Sequence, residues 1–123
     1  MSVFFMPHQI LEPQKCWEDW IRLGSLTKVR NEYEETGLVS RRTGSAPNES
    51  AIQKSAYVYA LGNLNVAKER FEFECRERGI VPTEEMWKKK LYRIAWLLYY
   101  QRPGRMSEFV SEHGLEAYAR TDH

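Results

Sequence analysis

The chain is poor in the residues that bind metals or carry covalent chemistry. It has two cysteines, Cys16 and Cys75, far apart and outside any CxxC spacing. Its three histidines, His8, His113 and His123, are scattered, and two lie near the termini. A zinc cluster needs more soft ligands at shorter spacing, so no metal site is expected. Without a secretion signal, two reduced, buried thiols are expected rather than a disulfide. Long apolar runs are also missing. Val3-Phe4-Phe5-Met6 stops at Pro7 and His8, and nothing approaches the roughly 20 apolar residues that span a bilayer. These absences predict an intracellular, cytoplasmic chain with no membrane contact. Nor is there an excess of one charge: 18 basic and 17 acidic residues leave a net of +1. No basic field advertises nucleic acid, and no acidic tail advertises a basic partner.

Catalytic patterns are thin as well. No glycine-rich phosphate loop is present. Ser107 and Ser111 have no base at a suggestive spacing, and Glu32, Glu34 and Glu35, like Glu84 and Glu85, read as solvated helix faces. The expectation is a protein that is not an enzyme and holds no cofactor.

What the chain does have is apolar and aromatic mass. Hydrophobic residues make up 42% and aromatics 13% of 123 residues, enough for one domain with a real core. The periodicity is helical nearly throughout. Trp17, Trp20 and Ile21 share one side of a helix that Gly24 should stop. Ser25 can cap a second, carrying Leu26, Val29 and Tyr33 and ending at Gly37. After a polar loop over 38–48, Ser50 with Gln53 forms a capping box, which predicts a third helix starting at Ser50. Ile52, Ala56, Tyr59 and Ala60 share one of its faces, and Gln53, Lys54 and Tyr57 another.

Gly62, Asn63 and Asn65 interrupt the pattern. A fourth helix is expected from Val66 to Arg78, with Ala67, Phe71 and Cys75 inward. Thr83 caps a fifth, along which Trp87, Leu91, Ile94, Ala95 and Leu98 form an inward stripe. Arg102-Pro103-Gly104 breaks it, and a last helix is expected from about Arg105. The fold class is all-α, with five or six helices in a single domain over 1–123. A trihelical, helix-turn-helix-like unit is expected over 16–62 and a bracing or oligomerising helical hairpin over 63–123.

The segment from Gly24 to Leu61 carries the main functional signal. Helix, glycine turn, helix, basic loop and capped helix is the order found in helix-turn-helix DNA readers. Arg41 and Arg42 can neutralise phosphates. Gln53 and Lys54, in the first turn of a helix starting at Ser50, can reach base edges. Asn48, Ser50 and Tyr57 are neutral phosphate donors. The stretches Gly24-Ser25-Leu26-Thr27-Lys28-Val29, Thr36-Gly37-Leu38-Val39-Ser40-Arg41-Arg42-Thr43-Gly44 and Asn48-Glu49-Ser50-Ala51-Ile52 resemble the helix-turn-helix-like part of large serine recombinases. The resemblance covers about a third of the chain, over residues 24–62. It implies that Arg41, Arg42, Ser50, Gln53 and Lys54 face double-stranded DNA. The tryptophan that usually precedes the capped helix is absent, with Pro47 and Asn48 near its place. The chain has no room for that family's catalytic domain, so the resemblance implies a DNA-binding shape without strand cleavage. A phage or mobile-element regulatory, packaging or accessory factor is the expected setting.

A second signal lies in the helix over 83–102. Tyr92, Trp96, Tyr99 and Tyr100 widen its apolar surface beyond one stripe. The alternative to a DNA reader is thus an interaction or structural protein. It would offer Trp96, Tyr99 and Tyr100 to a protein partner or to another copy in a homo-oligomer.

Overall fold

The computed structural model describes residues 11–40 and 46–119. Among them are seven helices and no strand: α1 Pro13–Leu23, α2 Leu26–Glu35, α3 Ala46–Gly62, α4 Leu64–Glu77, α5 Glu84–Tyr99, α6 Pro103–His113 and α7 Glu116–Ala119. The all-α expectation holds, with more helices than the five or six expected. The chain divides into two compact units, Met1–Tyr59 and Ala60–His123.

In the first unit, Pro13 occupies the first turn of α1, where a missing N–H costs nothing. Gly24 ends the helix in the left-handed region (φ 78°), its N–H donated to the Trp20 carbonyl at 2.8 Å. A side chain would be strained in that conformation. The next residue opens α2 at once, because the Ser25 hydroxyl accepts the Lys28 N–H at 3.2 Å. At the far end of α2, Leu38 N–H reaches the Tyr33 carbonyl and Gly37 N–H that of Glu34, a Schellman closure with Gly37 at φ 81°.

All three helices feed one core. Cys16 and Trp17 come from α1, Val29 and Tyr33 from α2, and Ile52, Ala56 and Tyr57 from α3; all are buried. Trp20 stacks at a tilt on Tyr57, with centroids 5.5 Å apart, and Trp17 meets Tyr59 at 6.1 Å.

The third helix differs from the sequence reading at both its start and its sides. It begins at Ala46, because proline is well tolerated in a first turn and Pro47 falls there. Ser50 is therefore inside the helix, and the Ser50–Gln53 pair does not open it. Gln53 and Lys54 sit two turns along rather than in the first turn. Tyr57, expected on a polar face, is buried under Trp20. Two tryptophans on α1 need more cover than Ile52 and Ala56 can supply.

In the second unit, α4 begins at Leu64, two residues earlier than expected, and buries Ala67 and Cys75. Thr83 caps α5 as predicted, accepting the Met86 N–H at 3.2 Å. Trp87, Leu91, Tyr92, Ile94 and Ala95 are buried, while Leu98 is only half-buried. Pro103 opens α6, two residues before the expected start at Arg105, for the reason that applies to Pro13. The short α7 follows Gly114, and the fully buried Leu115 anchors its start.

Between α4 and α5, Lys68 meets Glu84 and Phe71 meets Trp87. Between α5 and α6, Tyr99 meets Phe109 at 6.0 Å and the Arg105 guanidinium covers Tyr99 at 5.3 Å. Cys16 and Cys75 are both buried free thiols. No described helix is long and apolar enough to cross a membrane.

Two substitutions test the placement of α3. Ile52→Ala, which empties a fully buried position, should lower the unfolding free energy in urea by about 2–4 kcal/mol. Ser50→Ala should change it by no more than about 0.5 kcal/mol. A loss near 1 kcal/mol would instead mark Ser50 as a true cap.

Candidate nucleic-acid interface

The seven residues expected to meet DNA fall into three groups. Arg41 and Arg42 lie outside the described residues. Ser50 and Lys54 are exposed on α3, and Gln53 between them is half-buried. Asn48 and Tyr57 are buried and do not share that outward face. The Asn48 amide donates to the Ser40 carbonyl at 2.9 Å and to the Glu34 carboxylate at 3.2 Å. It thereby ties the first turn of α3 to α2 and to the residues just after it. Both residues support the arrangement from within instead of reaching toward phosphate. Sequence reasoning missed Ala51 and Val58, which complete the outward side of α3; Val58 is 52% exposed. Their spacing from Lys54 was the available signal, since 51, 54 and 58 fall on one helical face.

The charges of this unit are largely held by its own acids. Lys15 and Arg22 both donate to Asp19, at 2.8 and 3.0 Å, and Arg22 also reaches Glu32 at 2.6 Å. Arg30 bonds Glu49 at 2.8 Å and lies 3.8 Å from Glu34, joining α2 to α3. Its Nε is buried with no hydrogen-bond partner. Thr27 also donates to Glu49, at 3.3 Å. Lys15, Arg22 and Arg30 thus offer little uncompensated charge to an approaching phosphate. Lys28 and Lys54 are exposed basic residues of the described segment.

Asp19 is the electrostatic centre of the unit. It is buried, and the Tyr33 hydroxyl donates to it at 2.7 Å. Burial alone would raise its pKa, but hydrogen bonds from Lys15, Tyr33 and Arg22 outweigh that and hold it below the usual carboxylate range. Tyr33 is pushed well above the usual phenol range, first by burial and then by its bond to Asp19. Burial also raises the Cys16 thiol, against opposing hydrogen bonds with Ser55 and Tyr33. A buried thiol held protonated is a poor nucleophile.

The other expected surface is in the second unit. Trp96 is 42% and Tyr100 46% exposed, and their rings stack at 5.1 Å with an interplanar angle of 23°. Tyr99 is half-buried and turned to Phe109. Two of the three expected interface residues therefore share an open aromatic surface, and the third packs between α5 and α6. Among the described residues, no three His, Cys, Asp or Glu side chains converge as metal ligands. No family model, curated protein or solved structure matches the chain.

The shifted groups set a pH dependence. Asp19 titrates lower in the fold than in the unfolded chain. Its contribution is present above about pH 4 and is lost as pH falls through the folded value. Cys16 and Tyr33 titrate higher in the fold. Their contributions are present below their unfolded values, roughly 8.5 and 10, and fade as pH rises beyond them. The unfolding free energy should be flat from about pH 5 to 8 and fall on both sides. Asp19→Asn should flatten the acid limb and lower the plateau by about 1–3 kcal/mol. An acid limb unchanged in that variant would remove Asp19 from this role.

Proposed function

We propose that the chain is a non-enzymatic DNA-binding protein that reads double-stranded DNA with the outward side of α3. The observation that carries this reading is the common core of α1, α2 and α3, which leaves Ser50, Ala51, Lys54 and Val58 outward on one helix. A longest helix packed by two others with one side uncovered is what a major-groove reader requires. Lys54 suits a phosphate or a guanine edge, Ser50 a phosphate, and Val58 with Ala51 the methyl of thymine. The resemblance over residues 24–62 supports the same assignment and adds Arg41 and Arg42 from the loop. Glu49 does not oppose it, since its charge is taken up by Arg30.

A second reading is favoured by the open Trp96–Tyr100 stack. The second unit would then be an interaction module with an aromatic surface for a protein partner. The two readings are compatible, as in a DNA-binding protein that assembles through its second unit.

Duplex binding across a salt series tests the first reading. Wild type should bind at low salt and weaken as salt rises. An Arg41→Ala/Arg42→Ala/Lys54→Ala variant should show a salt slope smaller by about one per lost phosphate contact. Absence of duplex binding at low salt by the folded wild type would remove the DNA reading.

A further inference from the structure

The second unit exposes two helix stripes of unlike character. On α5, Glu85, Lys89, Arg93, Trp96 and Tyr100 are all exposed. Their spacing of four, four, three and four keeps them on one face, opposite the buried Trp87, Leu91, Ile94 and Ala95. That stripe is basic in its middle and aromatic at its end. On α4, Val66, Glu69, Phe73 and Glu77 are exposed at spacings of three, four and four, with Arg76 at the edge. Val66 is 40% and Phe73 48% exposed, and the stripe leads to the exposed Ile80 and Val81. Buried Ala67 and Cys75 lie on the other side of α4. Three exposed aromatic rings, Phe73, Trp96 and Tyr100, and three branched aliphatics, Val66, Ile80 and Val81, are more than scattered surface hydrophobics.

The two stripes complement each other in shape class and in sign. With Phe73 set on Trp96 and the helices alongside, one step back places Glu69 beside Arg93. One step forward places Glu77 beside the Tyr100 hydroxyl. Both stripes point away from the buried side of their helices in the second unit, so one copy does not bring them together. We propose that a second copy of this chain is the partner, with the α4 stripe of one copy docked on the α5 stripe of the other. This rests on the reading of the aromatic surface as an interface and names its occupant. If the pairing is reciprocal, it closes as a dimer; if not, it continues head to tail. Aromatic groups supply most of the affinity in such contacts, and the flanking charges fix register and partner choice.

Sedimentation equilibrium of the full chain from about 5 to 200 μM tests the proposal. Wild type should exceed the monomer mass within that range. Trp96→Ser and Phe73→Ser should each return it to monomer, with helical circular dichroism unchanged. Glu69→Lys/Glu77→Lys and Lys89→Glu/Arg93→Glu should each weaken self-association by about tenfold or more, and an equimolar mixture of the two should assemble again. These charge variants lie wholly on the surface, so the test survives a failure of either aromatic variant to fold. A wild type that stays monomeric overturns self-pairing while leaving the aromatic surface to a different partner. Assembly indifferent to Trp96 and Phe73 overturns the surface itself. A monomer that binds single-stranded oligonucleotide through Lys89, Arg93 and Trp96 also overturns the second copy as occupant.

Discussion

The buried carboxylate of Asp19 organises the first unit. It sits on α1 and takes the hydroxyl of Tyr33 from α2 at 2.7 Å, with Lys15 and Arg22 completing its acceptor sites. The two cations are about half exposed, so their ion pairs contribute little on their own. The Tyr33 bond is different. Its donor is 1% exposed, and a buried hydroxyl without an acceptor costs about 1–3 kcal/mol. This one bond fixes how α2 lies on α1 across the two-residue turn at Gly24 and Ser25. The Lys15 ammonium over the Tyr33 ring, 5.3 Å from its centroid, reinforces the same placement. Cys16 and Val29 are fully buried, as are Ile52 and Ala56, and α3 is tied to α1 by the Trp20–Tyr57 contact and to α2 by the Arg30–Glu49 pair.

Much of this architecture was legible because it depends on local chemistry. Gly24, Ser25, Gly37 and Thr83 each act through their own backbone or through an N–H three residues on. A sequence reading finds such residues at the right places. The inward stripe of α5 was legible for a related reason: its apolar positions repeat over four turns. What escaped the sequence is what depends on a neighbour. Ser50 and Gln53 have the residues of a capping box, yet the helix extends back to Ala46, and their chemistry has no helix end to act on. Tyr57 has a polar tip and polar neighbours, but Trp20 claims its ring. Asp19 reads as a surface charge on α1 until Tyr33 is brought against it. Phe71 meets Trp87 across the link over 78–83, and no turn signal encodes that contact.

The candidate DNA surface shows the same division. The exposure of Ser50 and Lys54 was readable from helical phase, whereas the withdrawal of Asn48 and Tyr57 was not. Asn48 is bound to the Ser40 carbonyl and Glu34, and so ties the first turn of α3 to α2 and the residues just after it. A DNA reader of this build would owe its affinity to few cations, because Lys15, Arg22 and Arg30 are already paired with acids of the same unit. Moving any of these three onto a phosphate would take one partner from Asp19 or Glu49, which costs most at the buried Asp19. On the proposed reading, the DNA contacts of a nearly neutral chain would concentrate on Lys54 and the arginines at 41 and 42.

Such a reader would bind weakly as a single copy. Each phosphate contact contributes to a salt-dependent term that scales with their number. Three contacts per chain fall short of the six to ten that tight binders make. Two linked copies would double that number and present two outward helices to the duplex at once. Linked modules gain affinity through effective concentration without any new contact. The α4 and α5 stripes of the second unit offer the means, in a part of the chain that bears none of the proposed DNA contacts. On the proposed reading, a nearly neutral chain whose first unit offers few cations would gain affinity from a second copy, and the aromatic surface and the basic loop would then serve one requirement.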